Sequence, residues 1–190
     1  MTKQSRGAKS IVFPTPVFVV GTYDAEGKPN IMTAAWGGIC CSRPPSVNVS
    51  MRSATYSHGN LKARKAFTIS IPSEDDVTAA DYAGIASGRD VDKFDVAGLT
   101  SVRSSLVDAP YVAEFPMVLE CKLSQVVEVG LHTMFIGEVL DVKGDERVFD
   151  QDGRLDITKV RPLLWAPDGR GYYGVGAYLG EAFDIGRTLE

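Results

Sequence analysis

Residues Asn30–Asn60, NIMTAAWGGICCSRPPSVNVSMRSATYSHGN, decide how the chain is read. Asn30 to Cys40 carries mostly small, hydroxylated or amide side chains around a single Trp36. An Arg-Pro-Pro break follows at Arg43 to Pro45. Then Val47-Asn48-Val49-Ser50-Met51-Arg52 alternates, and Ser53 to Asn60 opens a short polar helix. The pattern predicts a strand, a turn, a second strand and a helix N-terminus. Arg52 and several hydroxyl groups gather where the second strand meets the helix. A helix start offers unpaired N–H groups and a positive dipole end. Arg52 adds a planar charged fork that suits two phosphate oxygens, and Thr55 and Ser57 add hydroxyl donors. The same residues also suit a solvated strand end and an ordinary helix cap at Thr55 or Ser57.

Working outward, Ile11 to Thr22 is rich in Val, Phe and Thr and reads as a strand entered through Phe13-Pro14-Thr15-Pro16. Asp24 to Gly27 is a hairpin turn, and the next strand begins at Asn30. Small side chains from Asn30 to Ala35 leave room for something flat to lie on the backbone. Downstream, Asn60 to Lys65 continues the helix and Ala66 to Ile71 is a buried strand. Glu74 to Ile85 is a helix capped by Ser73, with Val77, Tyr82 and Ile85 on one face. Arg89 and Lys93 sit in a loop facing Asp90, Asp92 and Asp95, which composition alone reads as a surface charge cluster. Leu99 to Ala109 reads as loop. Met117 to Val129 and His132 to Val142 form a hairpin about Gly130. Further turns fall at Asp152-Gly153 and Asp168-Gly169. β-rich blocks separated by short helices suit a Greek-key barrel with helical insertions.

Composition limits the functions open to such a barrel. The 190 residues suffice for one domain, here taken as 1–190 with a flexible 1–10. The net charge of −4 is spread without a basic run, which argues against nucleic acid. Apolar runs are strand-length, so no membrane span is expected. MTKQSRGAKS lacks a secretory pattern, and cytoplasm is expected. The three cysteines, Cys40, Cys41 and Cys121, form neither a disulfide framework nor a metal spacing. Cys40 and Cys41 read as small apolar residues at a strand end. No GxSxG, HExxH or strand-linked GxGxxG unit is present.

The blocks PTPVFVVGTYD, NIMTAAWGGICCSRPP and SMRSATYSHGN, followed by GIASGRDVDKF and GLHTMFIGEVLDV, resemble the flavin reductase-like proteins with an FMN-binding split barrel. Within these, the resemblance is to flavoredoxins, small FMN electron carriers, and it runs from about Phe13 to Tyr178. It implies a mainly β split barrel that binds FMN non-covalently as a homodimer. The ring would lie on Asn30, Met32, Thr33, Ala34, Ala35 and Trp36. The phosphate side would draw on Arg52, Thr55 and Ser57, with Ser87, Gly88 and Lys93 matching a related SG-x-D-x-x-K-F pattern, and Ser50, Met51, Tyr56 and Asn60 would also bind the cofactor.

The resemblance also gives His132 its catalytic role, since a lone His at a strand edge is by itself as well read as structural. There it would position a nicotinamide or tune the charge of reduced flavin, without serving as an essential acid. The function implied is electron transfer, as a flavoredoxin or an NAD(P)H:flavin reductase, with a redox partner protein or small acceptor. The alternatives are an FMN-holding or ligand-sensing module without turnover, and a relative that has exchanged FMN for another ligand such as haem. No metal is expected.

Overall fold

The computed structural model describes residues 1–189. In chain order the elements are β1 (Thr15–Pro16), β2 (Phe18–Tyr23), β3 (Pro29–Ala34), β4 (Gly37–Ser42), β5 (Pro45–Arg52) and α1 (Tyr56–Arg64). Then come β6 (Ala66–Ile71), α2 (Val77–Ile85), α3 (Lys93–Ala97), β7 (Ser101–Arg103) and β8 (Pro110–Val112). The rest is β9 (Met117–Val129), β10 (His132–Gly144), α4 (Ile157–Val160), β11 (Leu164–Ala166) and β12 (Gly171–Tyr173).

Seven strands form one antiparallel sheet in the order β3-β2-β6-β9-β10-β5-β4. Its two edges, β3 and β4, are joined only by Ala35 and Trp36. A two-residue connection spans on the order of 10 Å, so the edges must meet and the sheet must curl on itself. The Ser50 N–H donates to the Trp36 carbonyl at 2.7 Å and fastens the corner. This is the split barrel, and it explains why the small-residue stretch is two strands rather than the single strand expected.

β2 shows how sequence dictates the layers. Phe18 and Val20 point into the barrel, beside Met32, Val47, Val49, Met51, Phe67, Ile69 and Phe135. Val17 and Val19 point the other way, toward Ile31, Ala80 and Ala83 of α2, Phe94 of α3, Phe115 and Leu163. A strand buried on both faces reads as a continuous apolar run, which is what FVV is. Gly21 in this strand is obligatory, because a Cβ there would lie 2.0 Å from the Pro110 carbonyl oxygen. Each large side chain fully buried in these clusters contributes about 1.5–3 kcal/mol. Glu120 of β9 is fully buried too, with Lys143 Nζ 2.8 Å from its carboxylate.

Several expectations change. Leu99–Ala109 is not all loop, since β7 lies in it and pairs with β8. α2 buries Ala80 and Ala83, whereas Ile85 is exposed, because only small residues fit against β3. Ser73 does cap this segment, with a capping box to Asp76 across the 3₁₀ turn Glu74–Asp76. Cys40 and Cys41 do stand near the end of a strand, the edge strand β4, where both are exposed. Gly130 (φ 54°) makes the β9–β10 bend as expected.

Candidate functional site

The corner that closes the barrel also opens a cleft. Its volume is about 420 Å³, within the range of about 300–1,000 Å³ common for small-molecule sites. Ten of the residues singled out in the sequence line it: Met32, Thr33, Ala34, Ala35, Trp36, Ser50, Met51, Arg52, Thr55 and His132. A second cleft of about 240 Å³ shares Met32, Thr33, Thr55, Gly84 and Ile85 with the first. It adds Tyr56, Ser57, Ser87, Gly88 and Lys93.

Three elements set the polar end of the first cleft. β5 pairs with β10 so that Arg52 lies opposite His132 and Met51 opposite Thr133. Past Arg52 the chain turns into α1. Thr55 holds the N-cap position with an extended backbone, yet its side chain does not cap the helix. Its hydroxyl donates instead to the Arg52 carbonyl at 2.9 Å. The first turn of α1 also lacks an acidic residue. Its N-terminal N–H groups therefore have no side-chain acceptor. Among the described residues, the Arg52 guanidinium has no hydrogen-bond or ion-pair partner. A free guanidinium beside an uncapped helix start is a receptor for an anion.

The aromatic wall comes from distant parts of the chain. The Trp36 and His132 rings are nearly parallel, 6° apart, with centroids at 6.3 Å. Trp165 of β11 approaches Trp36 at 5.4 Å with a 43° tilt. Tyr172 of β12 donates to Asp81 of α2 at 2.9 Å, tying the C-terminal strands over the cleft. Burial, then the Asp81 carboxylate, raises the Tyr172 hydroxyl to about 12. Val17, Asp81, Gly84, Ile85, Trp165, Arg170 and Tyr172 also line this cleft and were missed in the sequence. Arg89, which lies 5.3 Å over the Tyr56 ring and donates to the Ala54 carbonyl, was missed at the second cleft. Only the turn read at Asp168-Gly169 hinted at the C-terminal wall, and nothing local tied it to residue 36.

Other expected site residues stand elsewhere than foreseen. Asn30 is buried and lines neither cleft; its amide donates to the Ser57 hydroxyl at 2.9 Å. Asn60 is also buried, 3.5 Å from the Thr22 hydroxyl, because it is on the barrel side of α1. The Thr33 hydroxyl is spent on the Ala80 carbonyl, and the Tyr56 hydroxyl on Asp24 at 2.8 Å. Gly88 is required, since a Cβ there would lie 2.0 Å from Asn30 Oδ1.

Lys93 is the largest departure. It is not in a surface loop facing acids. It begins α3, is 4% exposed, and donates to the carbonyls of Ile31 at 2.8 Å and Ala83 at 2.7 Å. Burial pushes its ammonium down to about 8. His58, given no role in the sequence reading, is buried 2.9 Å from the Thr133 hydroxyl, with its pKa lowered by burial and then by Lys62.

Residues 10–175 match the flavin reductase-like domain family. The chain belongs to that family. It is 55% identical to a flavoredoxin of Desulfovibrio vulgaris (Miyazaki F), covering 97% of this chain and 100% of that one with a TM-score of 0.94. A flavoredoxin from Methanosarcina acetivorans is 27% identical over the whole of both chains, with a TM-score of 0.92. A protein of Archaeoglobus fulgidus is 33% identical over 131 residues, 69% of this chain and 73% of its own length. The resemblance read from the sequence blocks is therefore borne out, and with it a flavin-binding protein of the electron-transfer or flavin-reductase kind.

Proposed function

We propose that the flavin is FMN and that it lies across both clefts. The carrying observation is the pairing of a free Arg52 guanidinium with the uncapped start of α1 at one end of a cleft floored by β3. An apolar floor with an anion receptor at the α1 end suits a flat ring that ends in a phosphate. The ring would rest on Met32 to Ala35, where small side chains expose the backbone. The phosphate would take Arg52, the Thr55 side and the first N–H groups of α1. When bound, FMN supplies the redox chemistry by cycling between oxidised and reduced forms.

The chain's own residues bind and orient. Trp36 and the facing His132 form a wall against which a ring can stack, and Trp165 narrows the mouth. His132 would position a reduced nicotinamide or bear on the charge of the flavin. Lys93 fixes the backbone of β3 to α2 through its two carbonyl bonds, so the floor under the ring is rigid.

In this reading the protein is one flavin-binding domain, cytoplasmic and homodimeric. It takes electrons from NAD(P)H or a donor protein and gives them to a partner protein or small acceptor. Among the described residues no helix is long and apolar enough to cross a membrane. The sequence offers two apolar surfaces for a dimer, Val17 to Thr22 and the hairpin from Pro116 to Val142, and the supporting surface is not the first, which is spent on the chain's own cores. It is the exposed apolar end of the β9–β10 hairpin, Val126, Val127, Val129 and Leu131, next to His132.

The visible spectrum of the purified protein tests the reading. Flavin bands that bleach with NADH or NADPH under anaerobic stopped flow support a reductase. Bands that bleach only with a reduced donor protein support a carrier, and a Soret band or a colourless protein contradicts FMN. Sedimentation velocity over a dilution series should show a dimer whose dissociation midpoint rises with FMN. A monomer at micromolar concentration with FMN fully bound contradicts the dimer.

A further inference from the structure

We propose that the C-terminal half of the first cleft is a second subsite, for a planar small molecule bearing a carboxylate, and that Arg170 is its specificity residue. The inference rests on FMN occupying the β3 side of the cleft with its phosphate at Arg52.

The contacts order the wall. Arg52 stands opposite His132, His132 faces Trp36, and Trp36 meets Trp165. Trp165 pairs with Tyr172 across β11 and β12, and the turn that joins those strands carries Arg170. A guanidinium thus lies at each end of an aromatic row. The proposed phosphate accounts for the one at Arg52 and leaves the other unexplained. Among the described residues Arg170 has no hydrogen-bond or ion-pair partner. The carboxylate on this wall, Asp81, already accepts from Tyr172. The cleft is therefore cationic in a chain whose net charge is −4.

The backbone adds a second observation. Arg170 has a φ of 53°, the left-handed region, although Gly169 and Gly171 flank it and either could take that conformation without a Cβ. Placing an arginine where glycine is favoured costs stability, and such costs cluster at ligand clamps. A flat molecule laid against the face formed by Trp36 and Trp165 would present an edge carboxylate to the Arg170 fork, which matches carboxylate geometry in a bidentate manner.

The test uses the flavin-loaded full chain. Both of its tryptophans line this cleft, so their fluorescence reports on it. Titrate 4-nitrobenzoate, 4-nitrophenyl phosphate and uncharged 4-nitrobenzyl alcohol, and confirm each dissociation constant by calorimetry. The expected result is saturable binding with 4-nitrobenzoate favoured about ten-fold over the alcohol, the size of one charge-assisted contact. Arg170→Gln should abolish that preference, Arg170→Lys should restore part of it, and FMN affinity should stay the same in both. A tighter 4-nitrophenyl phosphate would overturn the carboxylate assignment. Equal binding of benzoate and alcohol by the native protein, or a preference that survives Arg170→Gln, overturns the subsite. A loss of FMN affinity in Arg170→Gln also overturns it, because Arg170 would then hold the flavin phosphate. If the purified protein takes up no flavin, the FMN reading fails separately, and the same titration on that protein still decides the subsite.

Discussion

Arg52 and Lys93 are both cations expected at the phosphate side, and the structure gives them opposite environments. Arg52 ends a strand and lines the cleft, and among the described residues its guanidinium has no hydrogen-bond or ion-pair partner. Lys93 begins a helix, is buried and spends its ammonium on two carbonyls of its own chain. The difference lies in the surrounding elements. Strand β5 runs out into the cleft at residue 52, whereas α3 packs Lys93 into the seam between β3 and α2. Charge in the sequence marks candidates for an anion, but only the exposure of the charged end separates a ligand contact from a structural brace. Lys93 is a brace whose loss should be read in stability, and Arg52 is the proposed contact whose loss should be read in affinity.

The largest effect expected from this contrast is on folding. Lys93→Ala removes a buried stem and leaves two carbonyls without a donor, so it should destabilise by about 2–5 kcal/mol. Urea unfolding of the flavin-free protein measures it, and a loss below about 0.5 kcal/mol would return Lys93 to the surface role read from its neighbours. Arg52→Ala should sit at the other extreme, within about 0.5 kcal/mol of the native stability, because the side chain braces nothing. A large destabilisation there would erase the contrast.

A pH series sharpens it. The Lys93 ammonium is pushed down to about 8 in the folded chain against an ordinary 10.5. Between those values the unfolded chain holds a proton that the folded chain has released. Stability from this group therefore rises with pH across that window. The native protein should gain stability relative to Lys93→Met from pH 8 to 10.5, and a constant gap would mean that the ammonium is solvated. The smallest effect is optical: tryptophan fluorescence should rise when the flavin is stripped, because Trp36 borders the proposed ring. No change would remove Trp36 from its neighbourhood.

How much of this was legible in the sequence follows from range. The alternation at Val47–Arg52 and the hairpin about Gly130 are local patterns that pointed to a barrel, and the resemblance of the sequence blocks supplied ten residues of the cleft, whereas the corner at Ala35–Trp36 was read as one continuous strand. The far wall was not legible because Trp165 meets Trp36, and Arg170 and Tyr172 join the cleft, only after β1 pairs with β11 across a separation of 150 residues. The inward turn of Asn30 and Asn60 was hidden for a different reason. A small amide reads the same whether it faces a ligand or a neighbouring hydroxyl, and only the strand's register decides. Lys93 was misplaced because its neighbours Asp90, Asp92 and Asp95 suggested ion pairs. Asp92 instead caps α3 through the N–H groups of Phe94 and Asp95.

The most direct test of the account compares the affinities of FMN and riboflavin, which differ only in the phosphate, for the native protein and Arg52→Ala. The native protein should favour FMN, and Arg52→Ala should lose about 1.5–3 kcal/mol of FMN binding while riboflavin affinity is unchanged. An Arg52→Ala protein that still prefers FMN by the native margin would contradict this, and the anion receptor at the start of α1 would not be the phosphate site.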